Sequence, residues 1–402
     1  MSGRTHDILQ LFFWASLGAT VYTYFLYPLL LMVLSRLVRG SQGKVGYHSA
    51  EQIANNMLPR VTMVISAYNE EAVLPGKIAN CKAIDYPAEM ISFLIGSDGS
   101  DDGTTDILRN INDNRFTTVH NPVRSGKVQM LNQLLKMVTL SDIVVFSDAN
   151  TMYQADAIRQ MVKPFEQPQV GCAIGKLELT APAGDRDACQ PEGLYWRYEN
   201  RIKQMESALG AVPTINGGIF AIRRQLYEEL PGHTVTEDQV LGMKIMVRGY
   251  QCMFVENARA RETVSNWAGE LRRRVRISAG NFQSLFMVPG IMNPRCGRVS
   301  FAFISHKLLR WLVPFFLAAM LTANVLLAGE PFYGSTLLLQ ALFYAGGLIG
   351  IALPKLSVPK ILIVPKYFLA MNIAILLGLT RFLTRSQRVT WTKAARHEPS
   401  SK

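Results

Sequence analysis

Residues Ile91–Gly103 read ISFLIGSDGSDDG, a short apolar run that ends in a turn rich in aspartate and glycine. The same order recurs in Val61–Glu70, which reads VTMVISAYNE, and in Ile143–Asn150, which reads IVVFSDAN. Apolar runs of this length, alternating with segments of helical periodicity, indicate buried parallel strands joined by crossover helices. The sequence therefore predicts an open α/β sheet with polar side chains at the carboxyl ends of its strands, where such sheets bind ligands.

The predicted α/β region begins near Arg60. Its strands are Val61–Ser66, Ile91–Gly96, Phe116–His120 and Ile143–Ser147. Its helices are Glu70–Ile84, Thr104–Ile111, Val128–Val138 and Ala155–Phe165. Beyond Gly171 the alternation loosens into a loop (Ala181–Gly193), a long helix (Leu194–Leu209) and then mixed strand and helix.

Apolar residues also flank the α/β pattern on its N-terminal side. Ile8–Ser35 contains no charged residue and exceeds the roughly 20 residues that a membrane-spanning helix needs. Its length and the lack of a small-residue cleavage site favour a signal anchor over a cleaved signal peptide. Because Arg36, Arg39 and Lys44 come directly after it, the positive-inside rule predicts that the α/β domain is cytoplasmic.

A second apolar region lies near the C-terminus. Trp311–Ala328 and Phe332–Leu353 are uncharged and predict a helical hairpin. Ile361–Leu379 is interrupted by Pro365-Lys366, and its placement stays open. A spanning helix would put the basic tail outside, against the positive-inside rule, whereas a re-entrant segment would keep the tail inside.

These segments divide the chain into five predicted parts of an integral protein of the inner or plasma membrane. Phe301–Arg310 alternates apolar and basic residues, which is typical of an interfacial amphipathic helix. The predicted parts are an N-terminal transmembrane anchor (1–40), a cytoplasmic α/β domain (41–295), an interfacial helix (296–310), C-terminal membrane helices (311–384) and a basic cytoplasmic tail (385–402).

The charge balance points to membrane lipids as partners. The formal net charge is +12, yet charged residues make up only 18% of the chain. Much of the basic excess lies in one tract, because Leu271–Gly329 contains no acidic residue, and such tracts contact anionic headgroups. No nucleic-acid partner is expected, since the basic, aromatic-rich modules of RNA and DNA binding have no counterpart in the sequence. The five cysteines are widely spaced, which predicts reduced thiols.

Asp98 lies at a predicted strand end, where its carboxylate can accept hydrogen bonds from a nucleotide base, beside Glu70 at the end of the first strand. The alternative is an acidic turn that only caps the helix beginning at Thr104. A calcium loop is excluded because Arg109 stands where an EF-hand needs glutamate. A P-loop is excluded because Asn121 replaces the required glycine.

Two later acidic motifs predict a metal site and a base. Asp148 and Asn150 end the fourth strand and suit Mg²⁺ or Mn²⁺, ions that take one or two protein carboxylates and complete their shell with phosphate and water. The alternative for Asn150 is a helix N-cap. Glu237 and Asp238 lie in the first turn of a predicted helix and can serve its dipole alone. In company with the other motifs, Asp238 is the candidate general base.

The tract Arg272–Ile277 reads RRRVRI and carries four guanidinium groups. Arg273 and Arg276 are three residues apart, so they share one helical face and suit bidentate pairing with phosphate oxygens. A membrane-surface anchor is the alternative, and different arginines can serve both roles.

The order and spacing of these motifs resemble the GT-A-fold, family 2 glycosyltransferases of the processive type, which include cellulose, chitin and hyaluronan synthases. The similarity covers roughly Arg60–Ser284 and implies a Rossmann-like mixed α/β sheet with flanking helices, bounded by N- and C-terminal transmembrane helices. It also implies roles for particular residues: Tyr68, Glu70, Asp98, Lys127, Arg273 and Arg276 for the nucleotide-sugar, Asp148 and Asn150 for the metal, and Asp238 with Glu237 for catalysis.

The sequence departs from the family pattern at two motifs. Asn150 replaces the second aspartate of D-x-D, which weakens the case for a strong metal site. Arg273 and Ile277 replace the glutamine and tryptophan of Q-x-x-R-W, which puts processive synthesis in question. By family position, and because glycine allows close backbone approach, the turn Asn216-Gly217-Gly218 and the Leu194–Leu209 helix are expected to form the acceptor cleft.

The resemblance implies inverting transfer of a sugar from a nucleotide-sugar, in the first place a UDP-sugar, with Mg²⁺ or Mn²⁺. The expected acceptor is a growing polysaccharide or a lipid-linked glycan in exopolysaccharide or capsule assembly, with other export or assembly proteins as partners. A single addition to a lipid-linked acceptor is the alternative. A catalytically silent, nucleotide-binding membrane scaffold is a hypothesis of another class, and the intact acidic motifs argue against it.

Overall fold

The computed structural model describes residues 3–41, 58–180, 190–263, 267–353 and 360–388. Lys44, most of the loop predicted over Ala181–Gly193 and the tail beyond residue 388 lie outside these ranges. The chain divides into two compact units. The sheet unit contains the described residues within 34–266 and 283–300, and the helical unit contains those within 3–33, 267–282 and 301–387.

Strands in the sheet unit form one mixed sheet. They are β1 (Val61–Ala67), β2 (Ile91–Asp98), β3 (Phe116–Asn121), β4 (Ile143–Asp148), β5 (Met152–Tyr153), β6 (Val170–Thr180), β7 (Phe220–Arg223) and β8 (Gln251–Thr263). Their spatial order is β3-β2-β1-β4-β7-β6-β8-β5. β3, β2, β1 and β4 run parallel, β7 is antiparallel to β4 and β6, and β5 is antiparallel to β8. The predicted α/β fold is confirmed.

The α-helices are numbered in chain order. They are α1 (Gly3–Val21), α2 (Tyr27–Ser41), α3 (Leu74–Lys82), α4 (Thr104–Arg109), α5 (Lys127–Lys136), α6 (Ala157–Val162), α7 (Gln190–Ala208), α8 (Glu237–Val247), α9 (Trp267–Met287), α10 (Arg298–Ala302), α11 (Leu309–Leu326), α12 (Pro331–Ala352) and α13 (Lys360–Leu383). The first crossover helix begins at Leu74 rather than at the predicted Glu70, because Pro75 favours a helix start and Asn69 before it has a positive φ of 53°.

The core of the sheet unit explains why the first four strands are so apolar. Met63, Phe93 and Val145 on the central strands are buried against a layer that includes Leu74 of α3 and Met161 of α6. Parallel strands covered by helices read as nearly continuous apolar runs, as these do. The carboxylates of these four strands, Asp98 and Asp148, consequently lie at strand ends.

The helical unit contains long apolar helices. By length and composition, four described segments can cross a membrane: Gly3–Val38, Arg298–Leu326, Pro331–Ala352 and Ile361–Leu383. The segment predicted to lie at the interface (296–310) is continuous with α11, as one helical run from Arg298 to Leu326 with a π-helical turn at Phe303–Leu308. The interfacial position of 296–310 stays a prediction, as does the choice between spanning and re-entrant placement of the last helix.

Packing inside the helical unit includes polar side chains that the hydropathy pattern does not reveal. The Asn324 amide of α11 donates to Gln340 of α12 at 2.9 Å, and the Thr336 hydroxyl donates to Asn324 at 2.9 Å. Interhelical amide bonds of this kind bind apolar helices together. Helix α9 contributes Trp267–Phe282 to this unit, so the units differ at that place from the predicted domain 41–295.

Candidate active site

Asp148 ends β4 and faces the start of α5. The Lys127 ammonium lies 2.7 Å from Asp148 Oδ1 and 2.7 Å from Glu237 Oε1. Burial lowers the pKa of Lys127, but the two carboxylates raise it more, so the net pKa lies above the ordinary value of lysine. The Lys127 side chain therefore contacts carboxylates of two motifs that lie far from it along the chain.

Asp238 comes directly after Glu237 in the first turn of α8. Its Oδ1 accepts a 2.8 Å hydrogen bond from the backbone N–H of Gln239. Burial, and next the charge of Glu237, raise the pKa of Asp238 to about 6, although Lys127 opposes the shift. A carboxylate with a pKa close to neutral holds a proton more readily than an ordinary aspartate, which suits a general base.

The turn Asn216-Gly217-Gly218 lies against both aspartates. A Cβ on Gly217 would stand 3.0 Å from Asp238 Oδ2, and one on Gly218 would stand 2.8 Å from the Thr151 hydroxyl and 3.6 Å from Asp148 Oδ2. A side chain at either position would therefore fill space beside a candidate reactive carboxylate. The predicted acceptor turn, the predicted metal residue Asp148 and the candidate base Asp238 therefore lie close together.

Asn216 is buried beneath this turn. Its Oδ1 accepts from Lys203 of α7 at 2.8 Å, and its amide nitrogen donates to the Gly175 carbonyl at 3.3 Å. These bonds engage both ends of the amide, so the side chain fixes the turn. Helix α7 therefore contacts this turn through Lys203, while the acceptor cleft predicted for the Leu194–Leu209 helix and the turn stays a prediction.

Asp98, at the end of β2, is 2% exposed. Its Oδ1 accepts from the backbone N–H of Ser125 at 2.8 Å and from the Ser125 hydroxyl at 2.6 Å, and its Oδ2 accepts from the Gly126 N–H at 2.7 Å. Asp98 therefore secures the loop that precedes Lys127. Its predicted contact with a nucleotide base remains untested.

Tyr68 and Glu70 lie just after β1, and Tyr68 contacts the same loop. The Arg124 guanidinium lies over the Tyr68 ring, 3.6 Å from its centroid, an arrangement that presents an aromatic and a cationic surface together. The Glu70 backbone N–H donates to the Thr104 hydroxyl at 2.8 Å, which fixes the turn after β1. Arg124 is a candidate nucleotide contact that no sequence motif reveals, because an isolated loop arginine carries no pattern.

Asn150 donates its amide to Glu262 Oε1 of β8 at 3.2 Å. Among the described residues, no group of three or more His, Cys, Asp or Glu side chains could hold a metal ion without help. The donor set at this turn is Asp148, with a third of its side chain exposed, and the amide oxygen of Asn150. That set fits a Mg²⁺ or Mn²⁺ ion that takes most of its ligands from a diphosphate and water.

Lys77 of α3 is fully buried beneath the turn that follows Asp148 (residues 148–151). No sequence motif predicts the burial of this lysine. Its ammonium donates to the Ser147 hydroxyl at 2.7 Å and to the Thr151 carbonyl, and lies 4.8 Å from the centroid of the Tyr153 ring. Burial lowers the pKa of Lys77 to about 8, although Cys81 and Asp148 oppose the shift. Lys77 thus holds both sides of the turn that carries Asp148.

Arg273 and Arg276 lie on the part of α9 that belongs to the helical unit. Glu270, which is 4% exposed, has Oε2 3.6 Å from Arg273 and Oε1 2.6 Å from Arg274. The sequence placed the arginines on one helix but gave no sign of this buried acidic partner. Their contact with phosphate oxygens stays a prediction.

Comparison with known proteins identifies the class and then the family. Over 94% of this chain and 98% of the other, the structure matches a mannosyltransferase from Pyrobaculum calidifontis, solved in complex with GDP-Man and Mn²⁺, with a TM-score of 0.66 and 20% identity. The fold is therefore of the GT-A type, together with helices that are long and apolar enough to cross a membrane. The chain belongs to the glycosyltransferase-like family 2, whose model matches residues 59–280.

Curated relatives share the same region. One is the beta-monoglucosyldiacylglycerol synthase of Trichormus variabilis, 25% identical over 56% of this chain and 50% of its own length. Another is the N-acetylglucosaminyltransferase of Rhizobium leguminosarum bv. viciae, 22% identical over 60% of this chain and 61% of its own length. The chain thus spans about half to three-fifths of the length of these relatives.

Proposed function

We propose that the chain is an inverting membrane glycosyltransferase that moves a sugar from a nucleotide-sugar to a glycan or a lipid-linked acceptor. One observation carries the proposal: Lys127 contacts both Asp148 and Glu237, and the partly buried Asp238 lies next to Glu237 and beside the 216–218 turn. Candidate groups for the diphosphate, the metal and the acceptor hydroxyl are thereby within one small region.

Asp238 acts as the general base in this proposal. It takes the proton of an acceptor hydroxyl while that oxygen forms a bond to the anomeric carbon, and the bond from that carbon to the diphosphate breaks with release of the nucleoside diphosphate. Attack from the side opposite the leaving group inverts the anomeric configuration. Because residue 217 is glycine, no side chain from this position fills the space beside Asp238 Oδ2, where the acceptor hydroxyl would bind.

Lys127 supplies positive charge toward the leaving diphosphate. Glu237, 9% exposed, acts through its ion pair with Lys127 rather than on substrate. A bound Mg²⁺ or Mn²⁺ would be held by Asp148 and Asn150 and would supply electrostatic stabilisation of the leaving group. Asp98 and Tyr68, through the loop at 124–126, form the candidate side for the base and ribose, with Glu70 after the same strand.

We further propose a UDP-sugar as donor and a cytoplasmic position for the sheet unit, with the basic residues after the first apolar helix on the same side of the membrane. Exopolysaccharide or capsule assembly is the proposed setting. A single addition to a lipid-linked acceptor is a second candidate, because Arg273 replaces the family glutamine and pairs with Glu270. A relative named as a glucosyldiacylglycerol synthase also supports a lipid acceptor for that candidate.

The decisive experiment is turnover by the purified chain in detergent with Mn²⁺, using UDP-glucose, UDP-N-acetylglucosamine and GDP-mannose as separate donors. We expect release of nucleoside diphosphate from a UDP-sugar, and loss of that release in Asp238→Asn with retained UDP binding. Asp106→Asn is the matched control, since Asp106 is an exposed residue of α4.

Each outcome has a definite meaning. Turnover of GDP-mannose alone would replace the UDP assignment, and an active Asp238→Asn variant would refute the base. Nucleotide-sugar binding with neither transfer nor hydrolysis would favour the silent scaffold. Product length then separates a polymer from a single added sugar.

A further inference from the structure

Asn150 occupies the position where the family motif has its second aspartate, and the structure places a carboxylate beside it from another strand. The Asn150 amide nitrogen lies 3.2 Å from Glu262 Oε1. Glu262 is the penultimate residue of β8, and more than a hundred residues separate the two along the chain. The sequence alone gives no sign of this pairing.

Backbone pairing fixes the two residues against each other. β5 begins just after Asn150 and pairs antiparallel with β8, through Met152 with Arg261 and Tyr153 with Ala260. The Thr180 hydroxyl also bonds the Glu262 carbonyl at 3.3 Å. The contact between the side chains is therefore built on a sheet ladder.

The hydrogen bond between Asn150 and Glu262 fixes which end of the Asn150 amide faces the carboxylate. An ionised carboxylate only accepts hydrogen bonds, so the NH₂ of Asn150 must face Glu262 and Oδ1 must face away from it. An amide can bind a divalent cation only through that oxygen. An asparagine without such a partner is free to turn its amide nitrogen toward the ion, whereas aspartate presents oxygen in either orientation.

We infer that Glu262 is a positioning residue that holds the Asn150 amide with its oxygen toward the metal, and that the pair replaces the second aspartate of the family motif. This inference rests on the proposed function, because it requires a divalent ion at Asp148.

The test is Mn²⁺ binding by the full chain in detergent, measured by the electron paramagnetic resonance of free Mn²⁺ with UDP present. We expect Glu262→Leu, which offers no acceptor to the Asn150 amide, to weaken Mn²⁺ binding about tenfold or more, the usual effect of losing an outer-shell partner. Glu256→Leu, at an exposed residue of the same strand, should bind as the unaltered chain does.

Two further variants test whether Glu262 acts on Mn²⁺ binding through Asn150. In an Asn150→Ala background, Glu262→Leu should cause no further loss, since the residue to be oriented is gone. In Asn150→Asp/Glu262→Leu, the charge of the pair is kept and either oxygen at position 150 can face the ion, so binding should lie within about threefold of the unaltered chain. This double variant decides the question if Glu262→Leu alone fails to fold.

The outcomes separate the inference from the proposed function. Full Mn²⁺ binding by Glu262→Leu, together with loss of binding in Asp148→Asn, would overturn the inference and leave the proposed function intact. A further loss on adding Glu262→Leu to Asn150→Ala would show that Glu262 does not act through Asn150. If the unaltered chain binds no Mn²⁺ with either UDP or GDP, the metal part of the proposed function fails and the inference fails with it.

Discussion

Strands β2 and β4 run parallel on either side of β1, and each ends on an aspartate, but the two carboxylates have opposite surroundings. Asp98 is 2% exposed and accepts hydrogen bonds from Ser125 and Gly126. Asp148 keeps a third of its side chain exposed and contacts a lysine that a second carboxylate shares. The same residue type at equivalent strand ends thus binds the backbone in one place and contacts a charged side chain in the other, where the proposed function assigns it to the metal.

The difference arises from the segments that surround each strand end. The loop at 124–126 presents N–H groups to Asp98, and amide donors satisfy a buried carboxylate. The neighbours of Asp148 include the Lys127 ammonium, at 2.7 Å, and the glycine turn, so a positive charge lies beside this carboxylate. A strand-end aspartate is therefore a weak indicator of catalysis until its donors are known.

The largest expected effect tests the reactive side of this comparison. Asp148→Asn should lower transfer on the order of 10³-fold, because it removes charge that holds the metal and Lys127 at the leaving group. Its thermal midpoint should change little, since the carboxylate is part-exposed. Steady-state kinetics and thermal unfolding of the same preparation measure both. Transfer activity of Asp148→Asn equal to that of the unaltered chain would place the chemistry elsewhere.

The second prediction tests the structural side. Asp98→Ala should destabilise the sheet unit by about 3 kcal/mol, because buried N–H groups of the 125–126 loop lose charge-assisted bonds. Chemical unfolding measures the loss, with Asp101→Ala, an exposed neighbour, as the control. If Asp98→Ala keeps its stability and loses UDP affinity instead, Asp98 belongs to the nucleotide site and the contrast with Asp148 disappears.

The third prediction is a pH dependence. Because the pKa of Asp238 is raised to about 6 and a general base must be ionised, kcat/KM should rise about tenfold per pH unit below 6 and level off above it. Lys127→Met should move the midpoint to higher pH, since the Lys127 charge lowers the pKa of Asp238. A pH–rate profile checks both, and an unmoved midpoint would separate Lys127 from the base.

The smallest expected effect comes from one hydroxyl. Ser125→Ala removes a single hydrogen bond to Asp98 and leaves both backbone donors in place, so it should cost about 1 kcal/mol. Transfer activity should be nearly unchanged. Chemical unfolding gives the value, and a loss as large as that of Asp98→Ala would mean that the hydroxyl, not the loop backbone, carries the interaction.

Much of the first half of the fold was predictable from the sequence. Each of the first four strands was predicted within two residues at its C-terminal end, because buried parallel strands leave continuous apolar runs. The antiparallel half was not ordered in advance. β7 is only four residues long, and its place between β4 and β6 depends on contacts distant in sequence.

The sequence predicted which residues belong to the candidate site, but it did not predict which of them contact one another. Asp148, Asp238 and Lys127 were singled out, but the sharing of Lys127 between two carboxylates depends on the fold. Lys77 was missed because lysine is usually exposed, and nothing local marks its burial. Glu262 was missed because its significance depends on Asn150, on a strand brought beside it by the sheet.

Gly126 gives the contrast between the two aspartates a mechanical meaning. Its φ of 100° and ψ of 152° are accessible mainly to glycine, its N–H binds Asp98, and its carbonyl carbon is bonded to the nitrogen of Lys127. A single peptide unit therefore separates the anchored loop from the lysine that reaches Asp148. In the proposed function, the residues assigned to the nucleoside and the lysine assigned to the leaving diphosphate are therefore neighbours along the backbone, so a substitution of Gly126 is expected to disturb both.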